Sequence, residues 1–557
     1  MTRDSMDITR RQFHGLALAA LAVAMARPAA ASTSGSDARK TLNRLTFGAN
    51  DAAIAEFERL GKSAWLEAEL AKPVVDDALA ARLSAATLRI EYEAGNDGPG
   101  KSWPARAEDL PYQYFDASGE SLLPLLDYSK GMNYDERIRP AREVQAAALM
   151  RAVHADAQLR EVLAQFWHNH FNVNAMKDEH CAAYFAAYDK VMRANALGNF
   201  RVLVGEVARS PAMLFYLNNE ASKASPANEN YGRELLELHT LGAENYLNDL
   251  YDDWKAVPGA KDGLALGYID ADVYEVARAF TGWSFGDGRW LADGDEAPRS
   301  GEFAYVDSWH DPYQKRVLAV EFGPNRAPMA DGESVLDLLA HHPGVARFIS
   351  RKLIRRLLTD EPSETLVDGV AKVFLAAADD DDQIAQVVRA IAMSDEFDAT
   401  PTRKLKRPFE FLASLYRASG LEVTKPSIGY VWELQQSGWS QHEFRPPSGH
   451  SDKSEHWANT STLNGLVNIA LYAHEDWYGT GTIDFVTLHE GVETWDEMFA
   501  YWQRKMGGAD AEASAAEFLA LTGIDPAEAV SGNPDDRRWA MASAAGIAAL
   551  QPSFLFR

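Results

Sequence analysis

Cysteine is almost absent from this chain of 557 residues, which has a single one, Cys181. One cysteine cannot form an intramolecular disulfide, and it cannot build a zinc or iron–sulfur site that needs several thiolates. Stability must therefore come from packing. Any bound metal ion must take His, Asp or Glu as ligands.

Positive charge is also scarce, since 55 Lys and Arg face 81 Asp and Glu, for a formal net charge of −26. A strongly acidic protein is repelled by phosphate backbones and by anionic lipid headgroups. The composition therefore predicts that nucleic acids are not among the partners of this protein.

Several motifs that would assign a function are missing from the sequence. It has no glycine-rich phosphate loop and no βαβ alternation, which disfavours a nucleotide cofactor. It has neither the Gly-x-Ser-x-Gly elbow of serine hydrolases nor the His-Glu-x-x-His zinc motif. Beyond the N-terminus no run of eighteen apolar residues occurs, so no membrane span is predicted in the mature chain.

The N-terminus has the pattern of a twin-arginine export signal, "ITRRQFHGLALAALAVAMARPAAASTSG". Arg10 and Arg11 precede an apolar stretch at 15–26, and three alanines precede Ser32. The apolar stretch is too short to cross roughly 30 Å of hydrocarbon as a helix, which disfavours the alternative of an anchor helix. We predict a signal peptide at 1–31 and a periplasmic or secreted protein.

Helical periodicity dominates the rest of the chain and predicts a mainly α fold, a large multi-helix protein with long loops and at most a few short strands. The stretch "KRVLAVEF" is the best candidate for a short hairpin. Residues 32–557 form either one large domain or two lobes, at about 38–283 and 333–557.

Gly, Pro and charged residues mark three predicted loop insertions, at 91–135, 243–267 and 284–332. A fourth polar and irregular stretch lies at 440–462. Long loops in compact proteins are often functional.

The stretch "FWHNHF" places His168 and His170 two residues apart. In an extended segment both rings would point to one side and could bind a metal ion, whereas a helix would separate them by about 200°. The alternative is a helix end whose last carbonyls favour histidine. The aromatic neighbour Trp167 is predicted to contact substrate.

The stretch "NENYGRELLELH" is predicted to be helical from about Tyr231 and to end before Gly242. Glu234 and Glu237 would then share one face and could present two carboxylates to a cation or a substrate. His239 would lie about 200° from Glu237, on another face.

The same stretch has a simpler explanation. Arg233 can form i, i+4 ion pairs with Glu229 and with Glu237, each worth a few tenths of a kcal/mol. Those pairs do not explain why Asn228 and Asn230 flank the helix start. We therefore expect Glu229, Arg233, Glu234 and Glu237 to be catalytic and the two asparagines to bind substrate.

These motifs, in this order, resemble the bacterial family designated domain of unknown function eighteen hundred. The resemblance covers about residues 38–557. It implies an exported, mostly helical protein but no activity, and it suggests a co-exported protein encoded nearby as a partner. The matching stretches are "LNRLTFGAN", "FWHNHFNV", "NENYGRELLELHTLG", "GYIDADVYEVARAFTGWSF", "WHDPYQKRVLAVEF", "HHPGVARFISRKLIRRLL", "KLKRPFEF" and "ALQPSFLFR".

The leading hypothesis from the sequence is an exported, metal-assisted hydrolase of envelope or extracellular, carbohydrate-like material. One divalent metal ion would be bound by His168, His170, Glu234 and Glu237. The alternative is a non-catalytic assembly or chaperone-like partner of a co-exported enzyme, in which the same residues form a buried polar network.

Overall fold

The chain is mainly α-helical, and the computed structural model describes residues 37–291, 296–472, 491–507, 525–530 and 533–557. The predicted signal peptide at 1–31 lies outside these residues. In the part of the chain that is described, no helix is both long enough and apolar enough to span a membrane.

Helices of the first third are short and begin at polar capping residues. Asn50 accepts a hydrogen bond from the N–H of Ala53, Asp76 accepts one from Leu79, and Asn199 accepts one from Val202. Gly61 separates two helices. The helices are α1 (Asp37–Leu45), α2 (Asp51–Leu60), α3 (Lys62–Ala71), α4 (Asp77–Ala85), α5 (Gly119–Leu122), α6 (Tyr134–Arg137), α7 (Arg139–His154), α8 (Gln158–His170), α9 (Glu179–Ala183), α10 (Phe185–Ala194), α11 (Phe200–Arg209) and α12 (Pro211–Tyr216).

The middle of the chain contains α13 (Glu229–Glu234), which continues directly as a π-helix over Leu235–Thr240, and then α14 (Asp270–Ala279). The carboxylate of Asp272 accepts hydrogen bonds from the N–H groups of Ile269 (3.1 Å) and Leu318 (2.7 Å), so it caps α14. Single 3₁₀ turns occupy Leu123–Leu126, Ala243–Asn245, Asn248–Leu250, Trp254–Ala256, Ala260–Asp262 and Asp307–Trp309.

The last third is again helical and packs through apolar stripes. The helix Pro343–Leu357 packs against the helix Glu364–Ala376, which packs in turn against the helix Gln383–Ala392. The helices are α15 (Ala330–Ala340), α16 (Pro343–Leu357), α17 (Glu364–Ala376), α18 (Gln383–Ala392), α19 (Asp395–Ala399), α20 (Pro408–Ser419), α21 (Gly429–Gln436), α22 (Ser454–Trp457), α23 (Thr460–Tyr472), α24 (Trp495–Gly507), α25 (Pro534–Ala549) and α26 (Pro552–Leu555).

The described strands form four antiparallel pairs: β1 (Thr87–Tyr92) with β4 (Arg106–Pro111), β2 (Gly95–Asn96) with β3 (Ser102–Trp103), β5 (Trp283–Asp287) with β6 (Arg299–Tyr305), and β7 (Lys315–Val317) with β8 (Val320–Phe322). The last pair is the hairpin predicted from "KRVLAVEF". Its turn residues Leu318 and Ala319 have positive φ, which is typical of two-residue hairpin turns.

The ranges predicted as loop insertions contain several of these short elements. Residues 91–135 hold the β2–β3 pair and all of β4, residues 243–267 hold four 3₁₀ turns, and residues 284–332 hold β6 and the β7–β8 hairpin. The polar stretch that begins near 438 runs against α8 and is described with the site.

One continuous cluster of buried apolar side chains forms the main core. It includes Ala38 of α1 and Leu555 of α26, and it has members throughout 38–283 and 333–557. The end of the chain is held to this core, since the backbone of Arg557 exchanges hydrogen bonds with Lys404 at 2.8 and 3.2 Å. The predicted choice between one domain and two lobes stays a prediction.

Candidate functional site

His168 and His170 lie in the last turn of α8, so the helical arrangement holds and the two rings project to different sides. His168 is buried, and its Nε2 lies 3.0 Å from Oδ1 of Asp189. The other oxygen of Asp189 accepts a hydrogen bond of 2.6 Å from Arg151. His168 is thus part of a buried triad of histidine, carboxylate and guanidinium.

Asp189 is ionised in this triad. Burial alone would raise its pKa, but the positive charge of Arg151 and the hydrogen bond from His168 hold the pKa well below its ordinary value. A carboxylate that faces Nε2 of an imidazole fixes the proton on that nitrogen.

His170 has a different set of neighbours. Its Nε2 donates a hydrogen bond of 3.0 Å to the backbone carbonyl of His239, and its ring packs against Phe166 and Phe171. Burial lowers the pKa of His170 well below the ordinary value for histidine, so the ring is neutral. This contact joins the two motifs that the sequence singled out.

The second motif contains the π-helix, which the periodicity did not predict. The N–H of Leu241 bonds to the carbonyl of Leu236, and the hydroxyl of Thr240 donates to the carbonyl of Leu235 at 2.5 Å. π-Helical turns are rare and are frequent at functional sites. This turn directs His239 into the core, where burial, assisted by the charge of Lys352, lowers its pKa to about 3.

Glu234 and Glu237 lie one turn apart at this junction, and both are half-buried. Within the described residues, no hydrogen bond or ion pair engages either carboxylate. Burial and, to a smaller extent, the negative charge of Glu237 raise the pKa of Glu234 to about 7, against the opposing charge of Arg233. Two desolvated carboxylates without a counter-ion are an arrangement seen at catalytic sites.

Arg233 does not neutralise this pair. Its guanidinium lies 3.5 Å from Glu229 and 3.4 Å from Asp270. Of the two ion pairs that the sequence allows for Arg233, the one with Glu229 forms. The charge of Glu237 is thereby left uncompensated.

Asn228 and Asn230 hold backbone in this structure. The side chain of Asn228 caps α13 by accepting the N–H of Asn230 (3.0 Å) and donates to the carbonyl of Asn218 (2.8 Å). The amide of Asn230 donates to the carbonyl of Leu217 at 3.1 Å. Both asparagines therefore fix the segment that leads into α13.

Trp167 lies in the core. It is fully buried, and its indole N–H donates to the carbonyl of Ala196 at 3.0 Å. The ring has no exposed surface in this arrangement with which to contact a substrate. Its predicted role in substrate binding has no support from its position.

Of the four residues predicted to share a metal ion, the two histidines have separate partners. His168 is held by Asp189, and His170 is held by the carbonyl of His239. Over the described ranges, no group of three or more His, Cys, Asp and Glu side chains is arranged to hold a metal ion. The metal site stays a prediction.

The polar stretch predicted at 440–462 overlaps a segment, 438–451, that crosses the end of α8, a contact that the sequence did not predict. Asn169 binds it through two hydrogen bonds, from its amide to the carbonyl of His450 (2.8 Å) and from the N–H of His450 to its oxygen (2.7 Å). Asn172 donates to two further carbonyls of the segment at 2.9 Å. The two asparagines of "HNHFN" were the available signal, since buried amides need partners.

This segment brings His442 against His168, with ring centroids 4.6 Å apart. Two small cavities of about 30 and 20 Å³ lie beside the two rings, and each has room for only one or two water molecules. The residues that line both cavities are Gln165, His168, Gln441 and His442.

A model of the family described as "Protein of unknown function (DUF1800)" matches residues 40–555. The chain belongs to this family. The match contains both histidine- and glutamate-bearing motifs and almost every described element. No curated protein and no solved structure matches the chain. Because membership in the DUF1800 family implies no activity, a function must be argued from the side chains themselves.

Proposed function

We propose that this protein is an exported hydrolase of envelope or extracellular, carbohydrate-like material, with Glu234 and Glu237 as its acid–base pair. The observation that carries the proposal is the pair of half-buried carboxylates without a counter-ion at the start of a π-helix. A carboxyl group with a pKa near 7 is suited to donate a proton at neutral pH.

The two carboxyl groups differ in environment, which separates their roles. Glu234 is the group whose pKa burial raises, so it is the proton donor to the leaving oxygen. Glu237 accepts a proton from the attacking water. A carboxylic acid that protonates the leaving oxygen and a second carboxylate that activates water are the usual acid and base of glycoside hydrolysis.

The metal-assisted form of this proposal rests on the same pair. A divalent cation would relieve the repulsion between Glu234 and Glu237 as a proton does, and carboxylate oxygens suit hard cations. His168 and His170 fit a shared site poorly, because they lie two residues apart in α8 and their rings project to different sides, although Nδ1 of each ring is not engaged by Asp189 or by the carbonyl of His239. A cation bound to the two carboxylates would polarise the bond to be cleaved.

The test is the hydrolytic activity of the mature protein on a panel of cell-envelope polysaccharides, read as newly formed reducing ends. Glu234→Gln and Glu237→Gln should each lower the rate by about 10²–10⁴-fold. Glu229→Gln is the matched control, because Glu229 lies on the same helix but is exposed and paired with Arg233. Equal rates in all three variants would refute the acid–base assignment.

Elemental analysis of the protein purified after export tests the metal. The Glu234→Gln, Glu237→Gln double variant should lose a divalent ion that the wild type retains, and a His168→Ala, His170→Ala double variant should retain it. Equal metal content in all three proteins would remove the metal from the proposal.

Retention of the protein in the cytoplasm after Arg10→Lys, Arg11→Lys would support export.

A second candidate function is a non-catalytic partner of a co-exported enzyme. The observation that favours it is the internal use of His168 and His170, which bind Asp189 and a backbone carbonyl and so join helices. This function predicts that the folded mature protein retrieves one companion at a fixed ratio from the periplasm. Retrieval that survives Glu234→Gln would favour this role over catalysis.

A further inference from the structure

A cavity of about 330 Å³ lies where α1, α2, α3 and α20 meet the connection between α7 and α8. Its lining includes neither Glu234 nor Glu237. The lining residues Ala52, Glu56 and Asp156 are exposed. The cavity is therefore open to solvent, and its volume is in the range of small-molecule binding sites.

The inner wall of this cavity contains a buried cation, Arg417, which is 8% exposed. Its Nε donates to the carbonyl of Gly48 (3.0 Å) and its Nη1 to the carbonyl of Val153 (2.9 Å). Within the described ranges, no carboxylate forms an ion pair with Arg417 and no hydrogen bond engages its Nη2. Burial lowers the pKa of Arg417 to about 10, and the charge of Glu69 only partly opposes this effect. Arg417 is thus charged at neutral pH without a counter-ion from the fold.

Arg44 shows how a buried guanidinium is satisfied by the chain alone. It too has carbonyl partners only, but its Nη1 donates to the carbonyl of Phe397 and its Nη2 to that of Thr400. Both terminal nitrogens of Arg44 are therefore used by the backbone. Nη2 of Arg417 is left for a partner in the cavity, and an anion gives such a nitrogen its strongest hydrogen bond.

Two other wall residues also have donors to spare. The N–H of Val423 donates to Nε2 of His154 at 2.9 Å, and burial lowers the pKa of His154 to about 4. The ring is therefore neutral, with its proton on Nδ1. Among the residues that the structure describes, no hydrogen bond engages this Nδ1–H or the indole N–H of Trp65. Together with Arg417, these donors suit a ligand rich in acceptor oxygens.

Glu69 and Asp156 limit the charge that such a ligand can carry. Nζ of Lys72 lies 2.5 Å from Glu69 and 3.1 Å from Asp156, so Lys72 is already neutralised by these two carboxylates. Arg417 therefore balances one negative charge on a ligand. A phosphate dianion would be repelled by the same carboxylates, whereas a carboxylate monoanion would match the charge of Arg417.

We propose that this cavity is a binding site for a small organic carboxylate, with Arg417 as its counter-ion. The carboxylate accepts hydrogen bonds from Nη2 of Arg417 and Nδ1 of His154, and the indole N–H of Trp65 donates to a further oxygen. The apolar body of the ligand packs against Leu42 and Val153. This site goes beyond the proposed hydrolysis and does not depend on it.

The test is calorimetric titration of the full mature chain at neutral pH with acetate, benzoate and glucuronate, each compared with its uncharged amide. At least one acid should bind at a single site with a Kd of about 1 mM or tighter. Its amide should bind about tenfold more weakly or worse, because it lacks the charge that Arg417 requires. Inorganic phosphate should also bind more weakly than this acid.

Arg417→Gln should weaken the binding of that acid by about tenfold or more. Because Arg417 also holds two backbone carbonyls, a second variant leaves it in place. Ala52→Trp fills the mouth of the cavity from an exposed position of α2 and should abolish binding. The matched control is Ala55→Trp, since Ala55 is exposed on the same helix but does not line the cavity.

The proposal would be overturned if none of the three acids bound, or if an acid and its amide bound equally well. Tighter binding of phosphate would refute a carboxylate ligand, and wild-type affinity in Arg417→Gln or Ala52→Trp would place the ligand elsewhere. Glu234→Gln should bind the acid as the wild type does, so this site and the proposed hydrolytic site can fail separately.

Discussion

Glu234 connects the geometry of the π-helix junction to a measurable stability. Its folded pKa of about 7 lies above the ordinary value of 4.5, so the folded state binds more protons than the unfolded state between these pH values. Stability therefore falls as pH rises through this window. After allowance for solvent screening of a half-buried group, we expect the loss to be about 1–2 kcal/mol.

The Glu234→Gln variant should lack this loss, because its side chain does not ionise. The free energy of unfolding of the variant minus that of the wild type should therefore be larger at pH 8 than at pH 5. Urea denaturation at the two pH values measures the difference, with Glu229→Gln as the control that keeps the wild-type pH dependence. An identical pH dependence in Glu234→Gln and wild type would show that Glu234 titrates normally.

The sequence predicted the contacts of this site within one helix better than the contacts between helices. The i, i+3 spacing of Glu234 and Glu237 and the pairing of Arg233 with Glu229 are properties of one helix, and both could be inferred from the sequence. The partner of His168 could not, because Asp189 lies on another helix. His442 lies farther still along the chain, and no periodicity links it to the "HNH" motif.

At the scale of elements, α8 and the segment 438–451 depend on each other. Gly449 lies in this contact with φ of +68°, and a Cβ there would be 2.0 Å from the carbonyl oxygen of Asn169. Only glycine permits both the backbone conformation and the close approach. Any larger residue should lift the segment away from α8.

We expect Gly449→Ala to lower the free energy of unfolding by more than about 2 kcal/mol. Gly420→Ala is the control, because Gly420 also has positive φ, of +73°, but has no atom within 4 Å of a Cβ. Its cost should be about 1 kcal/mol, from the backbone alone. Equal losses in chemical denaturation would contradict a tight contact between Gly449 and Asn169.

Elements were predicted well where they are amphipathic and capped by local residues. The break at Gly61, the cap at Asp272 and the hairpin at "KRVLAVEF" all follow from short-range rules. The π-helix could not be predicted, because its extra residue per turn is selected by packing of His239 against Phe171 rather than by propensity.

At the scale of the whole molecule, one buried carboxylate joins distant parts of the chain. Glu410 of α20 lies 2.5 Å from Arg356 of α16, 3.1 Å from Arg407 and 3.4 Å from Arg557. All four side chains are buried. Burial opposes the ionisation of Glu410, but the three guanidinium charges hold its pKa well below the ordinary value.

Glu410→Gln should destabilise the protein by about 3–5 kcal/mol, because it removes the carboxylate that Arg356 and Arg557 share, while Arg407 keeps Asp452 at 2.9 Å. The denaturation midpoint measures this loss. Glu364→Gln is the matched control, since Glu364 also contacts two arginines but on the surface, and it should change stability by less than about 1 kcal/mol. Similar losses of unfolding free energy in both variants would mean that the buried cluster stabilises the protein no more than a surface ion pair does.

The most direct test of the proposed function is a titration of the Glu234 side chain by carbon-13 NMR. We expect a pKa of about 7 in the wild type, and a lower value that still exceeds 4.5 in Glu237→Gln, because burial remains when the neighbouring charge is removed. A wild-type pKa of about 4.5, or one that Glu237→Gln does not change, would contradict an acid–base pair at this site.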